Sequence, residues 1–280
     1  MLVPTLLPAL WSIGLFASAV LCRHNCPVAD VSIIAHDGAS VGVEVKYKNV
    51  TLYTTGNATS KDRAILYLTD IYGLQLAQNR LLADSFGRAG YFVVAPDLFN
   101  TTTTTTNTNS TNSPKLDLDE MTPEQLSDFL TAADAATEDT DAIIATALEY
   151  VTQVKGIARV GATGYCFGGK YAFRVLAGSG SSSAVKAGFA AHPSNLQDEE
   201  IVAVKGAVGV AAADGDTMMP LARRAQIEAL LLNTTQPYSL ALYGGVSHGF
   251  GVRANVSVPR QKFGKEEAFF QAVRWFDTWV

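Results

Sequence analysis

The residues with the clearest chemical potential are Gly164-Tyr165-Cys166-Phe167-Gly168-Gly169. The spacing is G-x-C-x-G, set between an apolar run that reads as a strand and a segment that reads as a helix. This is the spacing of a nucleophile elbow, with Cys where Ser is usual. Such a turn strains the nucleophile's backbone and leaves no room for side chains beside it, a need that Gly164 and Gly168 meet. The sulfur then stands at a helix N-terminus, whose partial positive charge favours thiolate. Taken alone, the motif also fits a buried structural cysteine in a Gly-rich turn.

An elbow of this kind dictates the chain order of its partners: nucleophile, acid, histidine. The four histidines are His24, His36, His192 and His248, and the first two lie near the N-terminus. His248 sits in the Gly-flanked segment Gly244-Gly245-Val246-Ser247-His248-Gly249-Phe250, after the last strand-like run, where the order requires the base. His192, in Ala191-His192-Pro193-Ser194, ends a strand on the same edge but precedes the acid, which leaves it as a pocket-lining candidate. The acid should follow the run Ala207 to Ala213, in Asp214-Gly215-Asp216-Thr217-Met218-Met219-Pro220. Both carboxylates are candidates: one to orient the imidazole, the other to cap the next helix. The spacing is too short for a calcium loop and lacks its distal Glu, so no metal is expected.

These residues need a scaffold that brings loop ends together, and the remaining sequence supplies one. Val43 to Tyr47 and Val50 to Thr54 read as an antiparallel pair. Ala64 to Thr69, Tyr91 to Ala95, Val160 to Gly164, Val185 to Ala190, Ala207 to Ala213 and Tyr238 to Tyr243 read as further strands. Helical spacing runs over Leu74 to Ala89, Glu138 to Val154, Gly168 to Ala177, Met219 to Leu232 and Lys262 to Trp279. Apolar strands alternating with helices imply an α/β protein with a mostly parallel sheet covered on both faces. The chain's 280 residues suit one such domain. Its 48% hydrophobic content excludes a disordered chain, and the net charge of −5 without a basic patch argues against a nucleic-acid partner.

The motifs resemble the dienelactone hydrolase family of α/β-hydrolases, particularly its fungal branch, over roughly Leu52 to Val280. The elbow carries the likeness together with Leu68-Thr69-Asp70-Ile71-Tyr72-Gly73, Pro96-Asp97-Leu98-Phe99, Asp216 with Pro220, and His248-Gly249-Phe250. The resemblance implies the α/β-hydrolase fold, no cofactor, and a triad of Cys166, Asp216 and His248. It favours Asp216 over Asp214 because the acid stands four residues before a Pro. It also points to Asp70, where bacterial members carry a Glu that contacts the thiol and helps to activate it. Arg253 is similar to an Arg that binds the substrate carboxylate, with its spacing from the histidine shifted by one. The mechanism then asks the amides of Phe167 and Ile71 for an oxyanion hole, one following the nucleophile and one on the loop after an earlier strand.

The N-terminus points to export. No charge precedes Arg23, Leu6 to Phe16 is apolar, and Ala17-Ser18-Ala19 is a small-x-small cleavage pattern, so residues 1–19 read as a signal peptide. The apolar stretch falls short of the ~20 residues of a spanning helix, so no membrane association is expected after cleavage. Six N-x-S/T sequons, at Asn49, Asn57, Asn100, Asn109, Asn233 and Asn255, suit a secreted glycoprotein. Cys22 and Cys26 could pair there, leaving Cys166 free. Residues 20–280 then form one hydrolase domain, with a Thr/Asn-rich loop at 100–114. The expected activity is hydrolysis of small lactones or esters by a secreted enzyme. A thioesterase or cyclising hydrolase of a polyketide pathway, and a non-catalytic surface glycoprotein on a hydrolase scaffold, are the alternatives.

Overall fold

The computed structural model describes residues 33–58, 62–99, 122–178 and 184–280. The predicted signal peptide, Cys22, Cys26, Asn100, Asn109 and the Thr/Asn-rich loop lie outside the described residues.

Eight strands form one sheet among these residues, in the order β1-β2-β4-β3-β5-β6-β7-β8. They are β1 (Val43–Tyr47), β2 (Val50–Thr55), β3 (Arg63–Leu68), β4 (Phe92–Pro96), β5 (Arg159–Tyr165), β6 (Val185–Ala191), β7 (Ala207–Gly215) and β8 (Tyr238–Ser247). The first two make a tight antiparallel hairpin, with Tyr47 opposite Val50. β2 runs antiparallel to β4, and all later pairings are parallel. The helices are α1 (Ala77–Arg88), α2 (Pro123–Ala135), α3 (Thr137–Glu149), α4 (Phe167–Leu176), α5 (Asp198–Val202), α6 (Leu221–Asn233), α7 (Phe250–Arg253) and α8 (Pro259–Trp279).

The alternation of side chains along a strand divides the core in two. On β3, Ala64, Leu66 and Leu68 join Ile144 and Leu148 of α3, Tyr171 and Phe173 of α4, and Ile227 and Leu231 of α6. Ile65 and Tyr67, pointing the other way, pack with Phe86 of α1 and with Phe269 and Phe276 of α8. Both faces of the sheet are thus covered, which is why its central strands are apolar throughout rather than alternating.

Parallel strands all end on one edge, so the loops after β3, β5, β6, β7 and β8 gather there. The register makes this concrete. Leu68 lies beside Gly164, and Tyr165 beside Ala191. Ala191 lies beside Ala211. Past an irregularity, Gly215 of β7 pairs with Ser247 of β8. The residues following these strands are Asp70, Cys166, His192, Asp216 and His248.

Two elements depart from the expected boundaries near the site. β8 continues to Ser247 instead of stopping at Tyr243, because Gly244 and Gly245 are absorbed into the strand beside the irregular end of β7. Phe250, expected to close a Gly-flanked loop, instead opens the one-turn helix α7 (Phe250–Arg253) after Gly249, whose φ of 88° makes the left-handed entry. The four described sequon asparagines, Asn49, Asn57, Asn233 and Asn255, are all exposed. No helix among the described residues is long and apolar enough to cross a membrane.

Candidate active site

Cys166 occupies the turn between β5 and α4 with φ 51° and ψ −114°, a conformation that a side-chain-bearing residue adopts at a cost of about 1–3 kcal/mol. The surroundings impose it. Cys166 N donates to Ala191 O at 3.1 Å, and Gly169 N and Ser194 N donate to Cys166 O at 3.0 and 3.1 Å. A Cβ on Gly164 would lie 2.1 Å from Gly168 O, and one on Gly168 would lie 2.3 Å from Leu68 O. The elbow therefore packs backbone against backbone, and glycine is required at both positions. The sulfur is nearly buried, the whole residue being 5% exposed.

His248 and Asp216 meet on the neighbouring loops. His248 Nδ1 lies 3.0 Å from both Asp216 oxygens. Asp216 also accepts from Met218 N at 2.8 Å and Met219 N at 3.1 Å through Oδ1, so the carboxylate is held while facing the ring. Asp214 turns elsewhere and accepts from Gly245 N at 2.9 Å on β8. The second ring nitrogen, Nε2, is buried without a hydrogen bond. Burial alone would lower the His248 pKa; the hydrogen bond to Asp216 and the interaction with the Cys166 sulfur outweigh it and hold the pKa up at about 9. His248 is thus paired geometrically with Asp216, and the direction of its pKa reflects the nearby Cys166 sulfur as well.

His192 is a second imidazole behind the first. It is fully buried, and its ring centroid lies 5.1 Å from that of His248, edge to face. Neither of its nitrogens has a hydrogen-bond partner among the described residues. Burial, with repulsion from His248 and Arg253, pushes its pKa well below the usual histidine value. It is a neutral wall of the site.

The two histidines bias stability in opposite directions with pH. An unfolded His binds its proton below about 6.5. Native His192 stays neutral there, so its contribution is present above about 6.5 and is lost as pH falls below it. Native His248 keeps its proton up to about 9, so its contribution is full below about 6.5 and is lost as pH rises toward 9. Thermal unfolding followed across this range should show an alkaline decline that Asp216→Asn flattens. An unaltered decline in that variant would contradict the coupling.

The amides of Ile71 and Phe167 have no hydrogen-bond acceptor among the described residues. The loops that carry them are tied together, since Gly168 N donates to Thr69 O at 3.1 Å. Two free donors on adjoining loops beside the elbow suit an oxyanion.

Asp70 lies on the loop after β3 as expected, and its carboxylate is held by three partners. Its Oδ1 accepts from Asn79 Nδ2 at 2.7 Å and Tyr72 N at 3.1 Å. Its Oδ2 accepts from Arg253 Nε at 3.1 Å. Both oxygens therefore accept hydrogen bonds from groups other than Cys166, and the side chain hydrogen-bonded to the sulfur is Ser194, with Oγ 3.6 Å from Sγ. Nothing in the sequence marked Ser194. Burial raises the Asp70 pKa, against the opposing pull of Asn79 and Arg253. Arg253 lies 4.7 Å over the Tyr72 ring and is exposed on its outer side. Asp70 thus anchors an arginine to the loop after β3.

A cavity of about 440 Å³ adjoins the site, between the turns after β6 and β7; Pro193, Leu196, Met218, Met219, Arg223 and Ile227 help to line it. It touches the site only through the residues flanking Ser194 and Asp216, since Cys166, Asp216 and His248 are not among its walls. Among the described residues no group of three or more His, Cys, Asp or Glu side chains could hold a metal ion.

A mostly parallel, doubly covered sheet with a strained turn after its central strand defines the class of α/β-hydrolases. The chain belongs to the dienelactone hydrolase family, whose model matches residues 49–280. It is 32% identical to "Hydrolase pyvD" of Aspergillus violaceofuscus over 246 residues, 88% of this chain and 93% of that one. It is also 32% identical to "Hydrolase tropI" of Talaromyces stipitatus, with the same coverage. The "Carboxymethylenebutenolidase homolog" of Homo sapiens is 23% identical, over 86% of this chain and 92% of its own. The fold is shared with a structure titled as a putative dienelactone hydrolase from Klebsiella pneumoniae, at a TM-score of 0.63 and 16% identity, covering 86% of this chain and all of that one. The chain is a hydrolase acting on esters or lactones.

Proposed function

We propose that this enzyme cleaves small lactones or esters through a Cys166–His248–Asp216 triad. The observation that carries the reading is the pairing of His248 Nδ1 with both Asp216 oxygens at 3.0 Å, on loops at the same sheet edge as the strained elbow of Cys166. His248 acts as the base toward Cys166 and carries the proton through the attack. The sulfur attacks the substrate carbonyl, a C–S bond forms, and the negative oxygen is received by the amides of Phe167 and Ile71. His248 gives its Nε2 proton to the departing alkoxide as the C–O bond breaks, leaving a thioester. Neutral His248 then takes a proton from water as the water attacks, and collapse breaks the C–S bond, releasing the acid and returning the sulfur and that proton to the Cys166–His248 pair. An amine leaves such an intermediate less readily than a thiolate, so amides are poor substrates. Arg253, fixed through its Nε by Asp70, suits a carboxylate on the substrate. The butenolide in the name of the mammalian relatives points the same way, toward a lactone.

The same reading places the enzyme on the secretory route, supported by the signal-like start and the exposed sequons. The test is a hydrolysis screen of protein recovered from the medium of a eukaryotic host. Turnover of lactones, aryl esters or thioesters with no turnover of matched amides is expected, together with a mobility shift on glycosidase treatment. Inert esters and lactones would overturn the substrate class, and retention in the cell without a shift would overturn the route.

A further inference from the structure

The turn after β6 is built around Ser194. It is strained at two residues that are not glycine, His192 with φ 40° and Asn195 with φ 48°. His192 N donates to Ala211 O at 2.8 Å, and Ser194 N donates to Cys166 O at 3.1 Å, which fastens the turn to the strand on one side and to the elbow on the other. Ser194 is 7% exposed. Its hydroxyl is not occupied by the local backbone bond that usually explains a serine in a turn; its contact is the Cys166 sulfur at 3.6 Å, within hydrogen-bonding reach for sulfur.

We propose that Ser194 is a catalytic residue whose hydroxyl donates to the Cys166 sulfur and stabilises it as thiolate. The proposal rests on reading Cys166 as the nucleophile. A serine hydroxyl rotates, so it can accept from a thiol or donate to a thiolate. The second arrangement is charge-assisted and roughly twice as strong. The net effect therefore favours the anion, the opposite of what a carboxylate at the same place would do. Asp216 and the sulfur raise the proton affinity of His248 from one side of the pair; Ser194 acts on the other side, lowering the proton affinity of the sulfur. The titratable and charged groups facing this pair are His248 and Asp216, with His192 buried and neutral behind them and Arg253 held by Asp70.

The test is the rate of alkylation by iodoacetamide as a function of pH, read by mass spectrometry at the peptide that contains Cys166 in the full chain. Ser194→Ala should move the midpoint up by about one pH unit and shift the acid limb of kcat/KM with it, while Ser194→Thr keeps the midpoint of the wild type. Ser194→Val, nearly the shape of Thr without its hydroxyl, serves as the companion should the alanine variant fail to fold. Equal midpoints for the Thr and Val variants would overturn the proposal, because a purely structural serine changes stability without moving this titration. The nucleophile reading fails separately, through undiminished turnover in Cys166→Ala. A dead Cys166→Ala with an unmoved Ser194 titration defeats only the role of Ser194.

Discussion

Cys166→Ala is expected to reduce turnover of a good ester or lactone substrate by about four orders of magnitude or more. The size follows from the mechanism: without the sulfur no thioester forms, and only binding and the free amides of Phe167 and Ile71 remain to assist attack by water. The fold should survive. Alanine carries the same Cβ as cysteine, so the strain at φ 51° is unchanged, and the backbone bonds through Cys166 N and O remain. His248→Ala should fall almost as far, because the same two steps need its proton. Steady-state kinetics with thermal unfolding on the same samples separates lost chemistry from lost fold. Turnover within tenfold of the wild type in Cys166→Ala would end the covalent account.

A large structural effect is expected of Gly168→Ala. The added carbon would stand 2.3 Å from Leu68 O and 2.6 Å from Thr69 O. Neither oxygen is the end of a movable side chain. Leu68 closes β3, and Thr69 O accepts from Gly168 N itself. Relief requires α4 to lift from the sheet, breaking that bond and separating the two loops that hold the amides. A loss of about 3 kcal/mol or more is expected, a fall in Tm of roughly 6–12 °C for a domain of this size. Activity should fall with it even below the new Tm, since the Ile71 and Phe167 amides move apart. Differential scanning calorimetry decides; an unchanged Tm would mean that the elbow is more pliable than its backbone contacts imply.

Much of the scaffold was legible because parallel, buried strands leave runs such as Ala64 to Thr69 and Ala207 to Ala213 with little to confuse them with. The pairing of Asp216 with His248 was legible in outline, through chain order and position after the strands. The helix α2 was missed, although its start was written in the sequence. Thr122 accepts from Gln125 N, Gln125 Oε1 accepts from Thr122 N, and Pro123 opens the first turn, a capping box that follows the Thr/Asn-rich segment. Asp70 and Ser194 show where sequence reasoning stops. The oxygens of Asp70 are taken by Asn79, nine residues on, and by Arg253, far along the chain, partners that tertiary packing alone selects. Ser194 reaches Cys166 across 28 residues because Tyr165 and Ala191 are neighbours in the sheet. A register of that kind leaves no local pattern to read.

The central claim is that Cys166 carries the acyl group. It is tested most directly by mixing the enzyme with an activated aryl ester, quenching in acid within the first turnover, and mapping the added mass by peptide mass spectrometry. The account predicts one acyl adduct, on the peptide that contains Cys166, removed by hydroxylamine as a thioester is and absent from Cys166→Ala. An acyl group on another residue, or full turnover with no adduct at any quench time, would contradict it.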